Sequence, residues 1–166
     1  MYRKITDFQA DWVRESAGTL KILRALTDAS LGQAVTPGGR TLGRIAWHVA
    51  LTLGEMGGRA GLPVEGPPED APQPAAAAEI AAVYEKAARS LAAAVGQQWT
   101  DAALGDKLDM YGQTWTKAET LAGLVRHEIH HRAQLTVLMR QAGLVVPGVY
   151  GPAREEWSAY GMPPQD

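Results

Sequence analysis

The chain has 166 residues, 46% of them apolar, and a formal net charge of −2 from 16 basic and 18 acidic side chains. That length reads as a single domain, residues 1–166, able to bury a core without covalent staples. No basic stripe invites nucleic acid or a membrane surface, cysteine is absent, and no apolar leader or run of about 18 apolar residues marks export or a membrane span, so the expectation is a cytoplasmic protein without disulfides, thiolate sites or those partners.

The first predicted helix begins near Thr6 or Asp7, where Thr6 and Gln9 have capping-box spacing. Phe8, Trp12, Leu20, Leu23 and Leu26 then recur at helical intervals. Thr36-Pro37-Gly38-Gly39-Arg40 breaks the pattern. A second helix opens at Thr41 as N-cap, with Leu42, Ile45, Val49, Leu53 and Met56 as its apolar stripe. His48 lies on the flank of that stripe beside Thr52 and Glu55. Gly57, Gly58 and Gly61 loosen the end of this helix. Residues 63–74, rich in proline, glycine and acid, read as an ordered surface loop or a linker. The alanine-rich run that follows, to Trp99, is the strongest helix by propensity.

Between Trp99 and Trp115 the periodicity shifts to alternation around Tyr111-Gly112-Gln113, which fits a small hairpin or an irregular turn. The fourth helix starts at Thr116, with Glu119 three residues on completing a capping box, and stops at Gly143. The tail from Leu144 to Asp166 reads as irregular, with one helical turn around Arg154 to Tyr160. Four helices of about twenty residues with one long connection in the middle predict an all-α fold, a four-helix bundle.

His127 and His131 are the candidate chemistry. Residues four apart stack on one face of a helix, so their imidazoles can share a cation, and His48 from another helix would make a three-nitrogen site. The alternative is a set of core histidines satisfied by hydrogen bonds. The physical case for the metal is one of cost: every ring nitrogen of a buried, ion-free cluster needs its own partner. An ion takes one lone pair from each ring and leaves the other N–H for an outer acceptor. Three neutral ligands also leave the ion its full charge and positions open to substrate or water, whose pKa it lowers. The donor set suits zinc or nickel foremost, with iron, manganese or copper as alternatives.

Gln134 shares the side of His127 and His131 and is the best outer partner for them, and Glu55 is a candidate fourth ligand. His130 reads as a pocket-edge or surface residue, and Arg132 as a salt-bridge or helix-contact residue. Trp47, Trp99 and Trp115 are candidates to border the pocket. Val125, Ile129, Ala133 and Thr136 make the back of the last helix apolar, which predicts either a homodimer or cover by the tail. No serine has a nucleophile-elbow context and no residue presents itself as a general base, so the catalytic residues stay unassigned.

His127-Glu128-Ile129-His130-His131-Arg132-Ala133-Gln134, with Leu138-Met139-Arg140-Gln141-Ala142-Gly143 and the upstream Trp47-His48 pair, resembles the DinB-like (YfiT-like) metalloenzyme family. Ala133 stands where that family commonly has glycine. The resemblance implies an up-down four-helix bundle with a long crossover, often dimeric, holding one divalent metal on His48, His127 and His131. It further implies a small-molecule substrate and a metal-dependent enzyme of thiol S-transferase type, using a low-molecular-weight thiol. A metal-dependent hydrolase and a non-catalytic metal-binding stress-response module are the alternatives.

Overall fold

The computed structural model describes residues 1–164. It is mostly helical. Four long helices, α1 (Ile5–Arg24), α2 (Leu42–Arg59), α3 (Ala77–Gln98) and α4 (Lys117–Gln141), are joined by loops and short 3₁₀ turns. One two-stranded sheet, β1 (Lys107–Met110) paired antiparallel to β2 (Gln113–Thr116), precedes α4. The tail carries a 3₁₀ segment at Arg154–Tyr160, and its last two residues, Gln165 and Asp166, lie outside the described residues. Among the described residues no helix is long and apolar enough to cross a membrane.

Apolar stripes at helical spacing put Phe8, Trp12 and Ile22 of α1, Leu42, Val49 and Leu53 of α2, Ile80, Tyr84 and Leu91 of α3, and Leu121, Leu135 and Met139 of α4 into one core. Both α1 and α2 pack against α3 and against α4. Trp12 Nε1 donates to Ala88 O at 3.0 Å, and the Ile5 amide donates to Asp101, just past α3, so α1 runs against α3. Trp47, early in α2, donates to Ala71 O just before α3, while Gly57 late in α2 faces Leu91 late in α3, so these two helices run together. Parallel neighbours need a return crossover, and residues 60–76 supply it. This segment is an ordered connection, pinned by Trp47 and by the 2.8 Å bond from the Glu65 amide to Ser90 Oγ.

Thr41 caps α2 by accepting from the Arg44 amide at 3.1 Å. Thr116 and Glu119 form the expected reciprocal box on α4. Gly143, at φ 74°, ends α4, with the Leu144 amide returning to Met139 O and the Gly143 amide to Arg140 O. The first helix departs from expectation. It begins at Ile5, its N-cap Lys4 makes no side-chain cap, and Thr6 with Gln9 forms no box. The Asp101 carboxylate, far along the chain, takes the first amide instead, at 2.8 Å.

The alternating segment is a hairpin with a two-residue turn, Tyr111 at φ 59° and Gly112 at φ 74°. Two positive φ values match the right-handed twist of the strands. The back of α4 is less apolar in practice than its sequence suggests. Val125 is buried and Ile129 half-buried, but Ala133 is exposed.

Candidate metal centre

His48 projects from the middle of α2, and His127 and His131 from successive turns of α4. The two helices run in opposite directions side by side, and the three rings meet between them with centroids 4.4 to 4.9 Å apart. His48 Nε2 lies 3.0 Å from His127 Nε2. One ligand atom from each ring can be chosen so that all three fall within 4.8 Å of one another, a group able to hold a metal ion. Nitrogens about 2.05 Å from a tetrahedral zinc stand roughly 3.3 Å apart, close to the 3.0 Å between His48 Nε2 and His127 Nε2.

The surrounding bonds fit the same use. His131 Nδ1 donates to Gln134 Oε1 at 2.7 Å, which fixes the tautomer and leaves the Nε2 lone pair for the cluster. Gln134 Nε2 donates in turn to His130 Nε2 at 3.1 Å, so His130, exposed, stands behind the site rather than in it. His127 Nδ1 is buried with no hydrogen-bond partner among the described residues. Without an ion, the 3.0 Å contact between two imidazole nitrogens requires one to donate while the other accepts. Both lone pairs are used at once only if a cation lies between them.

Burial disfavours the charged imidazolium, and mutual repulsion in the cluster adds to it. His48 and His127 are each pushed down to about 4. His131 is lowered for the same first reason, against the support of Gln134. The rings are therefore neutral, the form that binds metals, across the ordinary pH range.

A cleft of about 630 Å³ is lined by His48 and His127 together with Thr52, Glu55, Met56, Arg59, Glu69, Tyr111, Trp115 and Gly123. Glu55 does not join the three-ring cluster. Its carboxylate is held by Arg59 and by Tyr111 Oη, the latter at 2.7 Å. Of the three tryptophans expected near the pocket, only Trp115 lines it. Trp47 is buried with its N–H on Ala71 O, and Trp99 lies buried beneath Lys117 Nζ.

Behind the ligand helix lies a polar network that the sequence reading missed. Arg132 is buried and bonds Glu15 Oε2 at 2.6 Å, Glu15 O at 2.9 Å, Thr19 at 3.2 Å and Tyr150 Oη of the tail. Glu128 is buried between the two metal-candidate turns, accepting from Thr19 at 3.0 Å and Tyr84 at 2.9 Å. Desolvation pushes its carboxyl up to about 7 despite those two bonds. A signal was present: Glu15 and Thr19 continue the Phe8–Trp12 stripe of α1 at helical spacing, and Glu128 and Arg132 lie between Val125 and Leu135 on α4. The expected salt-bridge role of Arg132 is what the structure contains.

A model of the DinB family matches residues 1–166. The Bacillus subtilis protein YrdA is 43% identical over 162 residues, covering 98% of this chain and 97% of its own. A DinB-like protein from Bacillus cereus of known crystal structure is 43% identical and superposes with a TM-score of 0.87, covering 90% of this chain and 100% of its own. The DinB-like protein YjoA of Bacillus subtilis shares the fold at 15% identity and a TM-score of 0.68, over 86% of this chain and 96% of its own.

Proposed function

The chain belongs to the DinB family, and from that premise we propose that it binds one divalent metal ion through His48, His127 and His131 and acts with it on a small molecule, a thiol S-transfer being the favoured reaction. The observation that carries this reading is the convergence of three neutral imidazoles, two of which, His48 and His127, line a cleft. A structural zinc site is normally closed by four protein ligands, whereas three leave room for a reactant. The ion would supply Lewis acidity, lowering the pKa of a thiol or water brought to it.

The chain's own groups divide the remaining work. Gln134 holds His131 in one tautomer. Trp115 and Met56 give the cleft apolar lining beside its polar groups, the usual make-up of a small-molecule site. On this reading residues 1–166 are one domain, the four helices form an up-down bundle with residues 60–76 as its crossover, and the working form is a cytoplasmic homodimer.

Metal analysis of untagged protein is the test. We expect about one divalent ion per chain, lost in His131→Ala. Thiol-transfer and ester-hydrolysis assays of the loaded protein then separate transferase from hydrolase, and inactivity in both leaves a metal-binding module. Absence of a stoichiometric ion from protein purified without chelators would overturn the reading.

A further inference from the structure

The cleft carries two opposite charges, Arg59 and Glu69, that feel each other across it without forming a hydrogen bond or ion-pair contact among the described residues. Arg59, the last residue of α2, directs its Nε–H to Glu55, and its guanidinium carbon lies 4.8 Å from the centroid of the Tyr111 ring. Tyr111 Oη donates to the other Glu55 oxygen at 2.7 Å. The Glu55 charge is thus taken up by two donors, and the guanidinium is held along one edge and one face. Its two terminal nitrogens have no hydrogen-bond or ion-pair partner among the described residues. A planar guanidinium fixed in this way is prepared to grip a carboxylate with two parallel bonds. Glu69, from the 60–76 connection, lines the same cleft and is exposed; its charge acts on Arg59 and Tyr111 across the cleft, but it makes no hydrogen bond or ion-pair contact among the described residues.

Glu55 balances Arg59, so Glu69 leaves this end of the cleft with a net negative charge. A phosphate or a dicarboxylate would be opposed there. A group with one carboxylate and one ammonium is matched on both counts.

We propose that the cleft takes an elongated small molecule with an amino-acid-type end, its carboxylate on Arg59 and its ammonium toward Glu69, while its other end reaches the histidine cluster. This rests on the reading of the cleft as the substrate site. Glu55, where the guanidinium is anchored, lies two helical turns beyond His48, about 10 Å along the axis. That span suits a molecule of tripeptide length rather than a free amino acid, and a cleft of about 630 Å³ accommodates one.

The probe is γ-glutamyl-alanyl-glycinamide, which has a zwitterionic end, a neutral remainder and no thiol. Calorimetric titration of the untagged protein should give saturable binding. Arg59→Gln should raise Kd at least about tenfold, the effect expected for loss of a charge-assisted bidentate contact. Glu69→Gln should weaken the parent probe several-fold and leave the affinity of its N-acetylated form unchanged. Both side chains are solvent-accessible, so circular dichroism and melting should be unaltered. No saturable binding, or titrations unchanged by Arg59→Gln or by Glu69→Gln, would overturn the inference. Metal content measured on the same samples keeps the two readings apart. Metal retained with Arg59-independent titrations sinks this inference alone, whereas Arg59-dependent binding to a protein that holds no metal sinks the metal reading alone.

Discussion

Gly123 and Trp115 pack so closely that any side chain at 123 would crowd the indole: a Cβ there would lie 3.0 Å from Trp115 Cζ3. Glycine inside a helix costs about 1 kcal/mol relative to alanine. Here it lets the indole from β2 lie directly on α4, one turn before His127. Gly123→Val should push the ring into the cleft and destabilise the fold by about 1–3 kcal/mol through overpacking. Urea unfolding together with near-ultraviolet circular dichroism of the tryptophans measures both effects.

The bond between His131 and Gln134 should be worth more to the metal than to the fold. Gln134→Ala removes the acceptor that fixes the ring tautomer. We expect metal affinity to drop by about 10- to 100-fold, read by chelator competition, with the melting temperature of the metal-free protein little changed because Gln134 is exposed. Equal affinity in the variant would show that the amide plays no part.

Two pH dependences of opposite sign are built into the core. The histidines have folded-state values near 4, below the ordinary 6.5. Their stability contribution is complete above 6.5 and is lost as pH falls toward 4, because the unfolded chain takes up the protons first. Metal-free protein should therefore melt progressively lower across that window. Replacing His48 and His127 together by glutamine should flatten the profile.

Glu128 behaves in the opposite sense. Its value of about 7 lies above the ordinary 4.5, so its contribution is fully present below 4.5 and disappears as pH rises through 7. Glu128→Gln should melt higher than the parent above pH 7, and the advantage should shrink toward pH 4.5. A difference in melting temperature that does not vary with pH would contradict this.

Arg132 and Glu15 are buried together, with side chains 4% and 9% exposed. Arg132→Ala leaves the buried Glu15 carboxylate without its cation, with Tyr150 Oη still donating to it at 2.6 Å, and should cost about 3–5 kcal/mol in denaturant unfolding. Arg132→Met combined with Glu15→Leu should recover much of that loss, since an apolar pair of similar volume avoids the desolvation.

Features that depend on near neighbours in the chain could be read in advance. Thr41, the Thr116–Glu119 box and Gly143 each act within a few residues, and each forms as its spacing indicates. The histidine pair is similar, since i and i+4 fix its face, and His48 joined it only through the family resemblance and its place on a second amphipathic helix. What escaped was non-local. The cap of α1 comes from Asp101, and Thr6 with Gln9 had the right spacing but no role. Glu15, Glu128 and Arg132 look like surface charges one at a time, and only their assembly across α1, α3, α4 and the tail makes their burial tolerable.

The borrowed start of α1 also bears on how the chain is made. The ribosome releases Ile5 long before Asp101, so the leading helix must wait with its first amide open to solvent. Glu15 and Thr19, which later brace the turn bearing His131, sit on that waiting helix. Vectorial synthesis thus leaves the histidine cluster to be assembled late, once His131, nearly four-fifths of the way along the polypeptide, has emerged and the opening segment has something to lean on.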